Sequence, residues 1–286
     1  MMKQAMIFAA GLGTRLKPLT DHMPKALVEV DGQPLLERVI KRLADANFDH
    51  LVVNVHHFSG QIIDFLRDHD NFGLDIQVSD ETDALLDTGG GIRKAQQLFD
   101  LRYPILIHNV DILSNLDLDR FYRLNDKTMC CDCGVPHVRI GARLLVSWRK
   151  TKRYLVFNDQ MRLVGWVNLS TGEVKSPFAE VRTALEQQQY PMDATDEPMV
   201  IADHYHLFAF SGIHTFYPCL FPLMADYPSK FSIVDFYLGQ CGKLPIVGYN
   251  KTDLKLMDVG KLDTLHDAEH FLQELDEAQT CSSGNQ

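Results

Sequence analysis

The 286-residue sequence contains no apolar run approaching the ~20 residues needed to span a bilayer. It also lacks an excess of positive charge. Its 28 basic and 38 acidic side chains give a formal net charge of −10, which argues against a general nucleic-acid binder. A small anionic substrate stays open, because a few local cations and backbone N–H groups suffice to hold one phosphate chain. The cysteines do not complete a metal knuckle. Cys130, Cys131 and Cys133 cluster before His137, but no second CxxC or HxxxH pair supplies the remaining ligands of a tetrahedral site. Together with Cys219, Cys241 and Cys281 they are read as reduced, structurally incidental thiols. The first apolar run, Ala5–Ala10, is short and leads directly into glycines, so it reads as a strand rather than a signal peptide, and the chain as cytoplasmic. No repeat and no clear linker interrupts the sequence. One domain over residues 1–278 is expected, with halves at about 1–125 and 126–278, and residues 279–286 as a flexible tail.

What is present alternates. Strand-like runs at Ala5–Ala10, Leu51–Val55, Leu74–Val78 and Pro104–His108 are separated by helical patterns at Pro34–Ala44, Gly60–Asp68 and Gly91–Phe99. That order implies parallel strands joined by right-handed crossovers, hence an α/β doubly wound, mostly parallel sheet. Arg143–Trp148, Tyr154–Phe157 and Met161–Val167 read as an inserted antiparallel meander. The polar stretch 170–205 is expected to form a long, lid-like loop. A strand at Leu207–Phe216, a helix at Ser232–Leu238, a strand at Lys255–Val259 and a helix at Lys261–Leu275 follow.

Ligands of open parallel sheets bind beyond the carboxyl ends of the strands. The loop there begins Gly11-Leu12-Gly13-Thr14-Arg15-Leu16. Glycines at this point permit a sharp turn and a close backbone approach to phosphate. The Lys-Ser/Thr pair of a P-loop is absent, and Leu16 stands where a dinucleotide fingerprint needs its third glycine. With Lys17 and Lys25, Arg15 makes the loop cationic, as stabilisation of a transferring phosphoryl group requires.

The continuous segment AAGLGTRLKPLTDHMPKALVEVDGQPLL, from Ala9 to Leu36, resembles the signature loop of the sugar-1-phosphate nucleotidylyltransferases. The resemblance implies a Rossmann-like nucleotidyltransferase fold. It implies that Ala9, Ala10, Gly11, Gly13 and Thr14 lie against the nucleotide, that Arg15 holds the leaving pyrophosphate, and that Lys25 neutralises charge at the α-phosphate. Glu81 with Thr88, Gly89, Gly90 and Gly91 resembles the segment around the base. Asp111 and Asp258 are similar to the family's two metal-binding aspartates, which implies Mg²⁺. Val110 replaces the glycine that usually precedes the first of them. Gly212, in Phe210-Ser211-Gly212-Ile213, resembles the sugar-side strand.

One departure stands out. Arg162–Val167 resembles the segment before a Glu-Lys-Pro motif, but Asn168 and Leu169 occupy the places of the acid and the lysine. Asn168 and Lys175 are then the expected sugar-phosphate contacts, with Arg149, Lys152 and Arg153 as alternatives. The compact chain and the run DTGGGI are most similar to the N-acetylmuramate-1-phosphate uridylyltransferases. This implies UTP and N-acetylmuramate 1-phosphate as substrates, joined by a single in-line displacement without nucleic acid or membrane partners. Guanylyltransfer to mannose or heptose 1-phosphate and cytidylyltransfer to phosphocholine are the competing enzymatic readings. A non-catalytic nucleotide-sugar sensor is the other class. Such a sensor is expected to lose Arg15, Lys25, Asp111 or Asp258, and all four are present.

Overall fold

The computed structural model describes residues 2–124, 140–188 and 199–283. The chain divides into two compact units. The first comprises Met1–Leu86, Lys94–Tyr122 and Leu254–Gln286; the second comprises Asp87–Arg93 and Arg123–Asp253.

The first unit starts with β1 (Gln4–Phe8), which is buried nearly throughout and leads into the glycine loop. Two short strands, β2 (Glu29–Val30) and β3 (Gln33–Pro34), form a hairpin. Its two loop residues, Asp31 and Gly32, both have positive φ, as a tight primed turn requires. Helix α1 (Leu35–Asp45) buries Leu35, Leu36, Val39, Ile40 and Leu43, an apolar stripe in which each side chain contributes roughly 1.5–3 kcal/mol. Then come β4 (His50–Val55), α2 (Ser59–Asp68), β5 (Asp75–Asp80), β6 (Ile105–Asn109), β7 (Ile112–Ser114) and α4 (Leu118–Arg123); between β5 and β6 the chain passes through α3 (Asp87–Ala95), of which Asp87–Arg93 belong to the second unit. Strands β6, β1, β4 and β5 are neighbours in that order, and every pairing is parallel. β4 is wholly buried, the pattern of a strand covered on both faces. Helix α3 starts at Asp87, four residues before the expected Gly91, and so takes in the three glycines.

The second unit contains the expected meander and more. Strands β8 (Ala142–Ser147), β9 (Arg153–Phe157), β10 (Leu163–Asn168) and β11 (Glu173–Lys175) are followed by α5 (Ala179–Glu186) and β12 (Met199–Ile201). The 12-residue β13 (Tyr205–Phe216), α6 (Ile233–Gln240) and β14 (Ile246–Asn250) complete it. β9, β10 and β11 pair antiparallel. β13 pairs antiparallel with β9 and β12 through its first residues and with β8 through Ala209–Phe216. Its register shifts between Phe210 and His214, where Gly212 has φ +74. β14, which the sequence reading omitted, runs parallel to β8. The stretch 170–205 is thus not one loop. Val181 and Leu185 of α5 join a core with Tyr154, Val156, Val164, Val167, Ile201 and Leu207. Only residues 189–198 of that stretch lie outside the described residues.

The chain then returns to the first unit. β15 (Leu256–Asp258) pairs antiparallel with β7. Helix α7 (Leu262–Ser283) continues through residues 279–283, which the sequence suggested as tail. Among the described residues, no helix is long and apolar enough to cross a membrane. Cys130, Cys131, Cys133 and His137 lie outside the described residues. Burial pushes the Cys241 thiol up to about 11.

Candidate active site

The glycine loop is held from within. Leu16 is fully buried and anchors a short 3-10 turn, Thr14–Leu16, closed by a 2.8 Å hydrogen bond from its N–H to the Gly13 carbonyl. Gly13 has φ +63, and a Cβ there would sit 2.8 Å from Thr20 Cγ2 and 3.1 Å from Lys25 Cβ. Only glycine fits both the conformation and the space. The Thr20 hydroxyl also donates to the Gly13 carbonyl at 2.8 Å. Gly11 differs: a Cβ there would meet no atom of the described residues within 4 Å, so their packing does not require its bareness. Ala9 and Ala10 are buried, whereas Gly11 and Thr14 are exposed.

Lys25 begins a further turn, Lys25–Leu27, and its buried ammonium donates to Asp111. Asp111 lies between β6 and β7. The pairing of β15 with β7 sets Asp258 opposite Ile112, and the Val259 N–H donates to the Asp111 carbonyl at 2.9 Å. Two acids far apart in sequence are thereby adjacent. Burial, and then the neighbouring Asp111 charge, raise the proton affinity of Asp258, against the opposing pull of Lys25 and Arg15. Arg15 Nη2 is 4.0 Å from Asp258 Oδ2. A Cβ on Gly260 would lie 2.6 Å from that guanidinium nitrogen, so glycine is what allows the arginine's approach.

A divalent cation fits these residues. Asp258 Oδ1 is buried with no hydrogen-bond partner among the described residues, and it belongs to a pair of like-charged carboxylates that a hard cation would relieve. Among the described residues no cluster of three or more His, Cys, Asp or Glu side chains is poised for a metal. Two protein acids, with the remaining positions left to phosphate oxygens and water, match the coordination habit of Mg²⁺.

Glu81 is turned inward. It is 1% exposed, and its two oxygens accept from Asn54 Nδ2 (2.8 Å) and the Leu86 N–H (3.2 Å). The Asn54 Oδ1 accepts from the Ala9 N–H at 2.8 Å. The sequence reading missed Asn54. Its one signal was a lone amide in the otherwise apolar run Leu51-Val52-Val53-Asn54-Val55. Thr88, Gly89 and Gly90 belong to the second unit and bind its own chain. The Gly89 and Gly90 N–H groups donate to the Phe231 carbonyl (2.9 and 3.3 Å), and the Thr88 hydroxyl accepts from the Ile233 N–H at 2.9 Å.

The second unit has a cavity of about 560 Å³ lined in part by Arg149, Arg153, Trp166, Asn168, Lys175 and Asp235. Asn168 is nearly buried and pairs across the sheet with Arg153, while its side-chain oxygen accepts from the Ser170 N–H at 3.0 Å. Lys175 lies opposite Trp166, 5.0 Å from its ring centroid, and pairs with Asp235 at 2.9 Å and Glu173 at 3.6 Å. The hydrogen bond to Asp235 raises the lysine's proton affinity. Gly212 stands at the register shift of β13.

Residues 4–130 match the nucleotidyl transferase family model. Over 111 residues the chain is 45% identical to the N-acetylmuramate alpha-1-phosphate uridylyltransferase of Caulobacter vibrioides, covering 38% of this chain and 46% of that protein. Over 114 residues it is 41% identical to the Neisseria meningitidis enzyme of the same name, covering 40% and 49%. The matched region thus spans about half the length of these relatives. Among solved structures, HddC from Yersinia pseudotuberculosis complexed with GMP-PN superposes with a TM-score of 0.63 at 19% identity, covering 94% of this chain and 99% of that one. A UDP-glucose pyrophosphorylase complexed with UDP-glucose gives 0.68 at 14% identity, covering 96% and 99%. The fold is therefore shared with these structures: a Rossmann-like arrangement whose mostly parallel central strands match the sheet expected from the sequence pattern.

Proposed function

We propose that this chain transfers a nucleoside monophosphate from a nucleoside triphosphate to a sugar 1-phosphate, releasing pyrophosphate. The observation that carries this reading is the convergence of Arg15, Lys25, Asp111 and Asp258 beside the glycine loop. The two relatives named above support UTP and N-acetylmuramate 1-phosphate as the substrates.

A sugar-phosphate oxygen forms a bond to the α-phosphorus as the bond to the bridging oxygen of pyrophosphate breaks. The nucleophile is already anionic, so no protein base or covalent intermediate is needed. Catalysis reduces to positioning and charge neutralisation. Lys25, held by Asp111, presents a fixed positive charge, and the exposed Arg15 can follow the departing pyrophosphate. Asp111 and Asp258 would hold Mg²⁺, which supplies further positive charge to the phosphate oxygens. The cavity with Arg149, Arg153, Asn168 and Lys175 is assigned to the sugar phosphate, with Gly212 on the sugar-side strand.

The test is a pyrophosphate-release screen of the purified protein with each nucleoside triphosphate against a panel of sugar 1-phosphates and phosphocholine, in Mg²⁺. Release only with GTP and mannose or heptose 1-phosphate, or only with CTP and phosphocholine, would replace the substrate assignment. Nucleotide binding without release from any pair would make the chain a sensor.

A further inference from the structure

We propose that Asn54 is a positioning residue for nucleoside triphosphate binding, acting through Glu81 and the Ala9 backbone. The inference rests on the nucleotidyl-transfer reading above. Asn54 sits near the carboxyl end of β4, paired with Phe8, the last residue of β1, and with Ser79 of β5. Its side chain is 1% exposed and reaches both neighbouring strand ends. Toward β1 its Oδ1 takes the Ala9 N–H, where the glycine loop begins. Toward β5 its Nδ2 donates to Glu81 Oε1. The orientation of the amide is fixed, since one neighbour can only donate and the other is a carboxyl oxygen.

Glu81 is held as firmly. Its N–H donates to the Val55 carbonyl at 2.7 Å, its carbonyl is 2.7 Å from His56 Nδ1, and its second carboxyl oxygen takes the Leu86 N–H. An apolar side chain would fill a strand interior without these obligations. A buried carboxyl against a buried amide earns its place by fixing what surrounds it. Here it locks the start of the phosphate-side loop and residues 81–86 to one central strand, at the sheet end where such folds bind ligands.

An exchange of the two groups tests this. Asn54→Asp sets two carboxyl groups against each other. Glu81→Gln turns an amide N–H₂ toward a second donor. Combined, the new carboxylate accepts from the Ala9 N–H and from the new amide, whose oxygen accepts from the Leu86 N–H, so every group is again paired. Each single variant should raise the KM and Kd for the nucleoside triphosphate by about tenfold or more. The KM for the sugar 1-phosphate should be unchanged, and the double variant should return near wild type. If Asn54→Asp does not fold, Glu81→Gln and the double variant carry the comparison.

Single variants that melt earlier but keep the wild-type nucleotide Kd would reduce Asn54 to a core residue and overturn the proposal. So would a double variant as weak as either single. If the wild-type protein binds the triphosphate but releases no pyrophosphate, the transfer reading fails, and the Kd comparison still decides the role of Asn54. A wild-type protein that binds no triphosphate overturns both.

Discussion

Lys25 and Asp111 form an ion pair in which only 10% of the lysine side chain and 15% of the aspartate side chain remain accessible. Removing one partner leaves the other buried without its hydrogen-bonded counter-charge. Lys25→Ala and Asp111→Ala should each cost about 3–5 kcal/mol of stability, read from urea unfolding. Pyrophosphate release by the protein still folded should fall on the order of 100-fold or more. Near-normal turnover in either variant would remove that residue from the reaction.

Arg15 separates catalysis from folding. Its side chain is 57% exposed and its nearest carboxylate oxygen is 4.0 Å away. Arg15→Ala should therefore shift unfolding by no more than about 0.5 kcal/mol. The rate of pyrophosphate release should nevertheless drop by about 100-fold. Equal losses of stability and rate would point to a packing role instead.

Gly89 makes the opposite prediction. A Cβ there would run into the Phe231 ring and approach its carbonyl to 2.9 Å, while the Gly89 N–H donates to that same carbonyl. Gly89→Ala should destabilise the protein by about 1–3 kcal/mol through forced displacement of this contact. Thermal unfolding monitored by circular dichroism measures it. An unchanged melting temperature would mean that the 231–233 segment yields freely.

His214 supplies a pH dependence. Burial lowers its imidazole to about 3 from an ordinary 6.5, and neither ring nitrogen has a hydrogen-bond partner among the described residues. Between those values the unfolded chain binds a proton that the folded chain refuses. Stability from this group is complete above about pH 6.5 and declines as pH falls toward 3. His214→Leu should flatten the decline, seen by comparing urea midpoints near neutrality and at about pH 5. Identical slopes in the two proteins would place the acid sensitivity elsewhere.

The parallel strands were legible because they are buried on both faces, so that β1, β4 and β6 each read as continuous apolar runs between glycines and amphipathic helices. The loop residues Gly13, Arg15 and Lys25 could be named from their spacing, but the partnership of Lys25 with Asp111 could not. It depends on a turn and a strand end meeting across the sheet. Helix α5 escaped notice because only Val181 and Leu185 face inward, in a region whose polar composition resembles a loop. The inward turn of Glu81 was equally hidden. A buried acid and a solvated one look alike until the amide that receives it, Asn54, is found.

The order of the chain bears on how this protein is made. During synthesis β7 emerges well before its partner β15, with the whole of the second unit's longer segment between them. A nascent chain stopped before residue 254 carries Arg15, Lys25 and Asp111 but has no Asp258 to set beside them. The ribosome therefore delivers the parallel strands β1, β4, β5 and β6 first, and the second acid only after the longer segment of the second unit. A truncation that spares every strand of the parallel sheet would still silence the cluster.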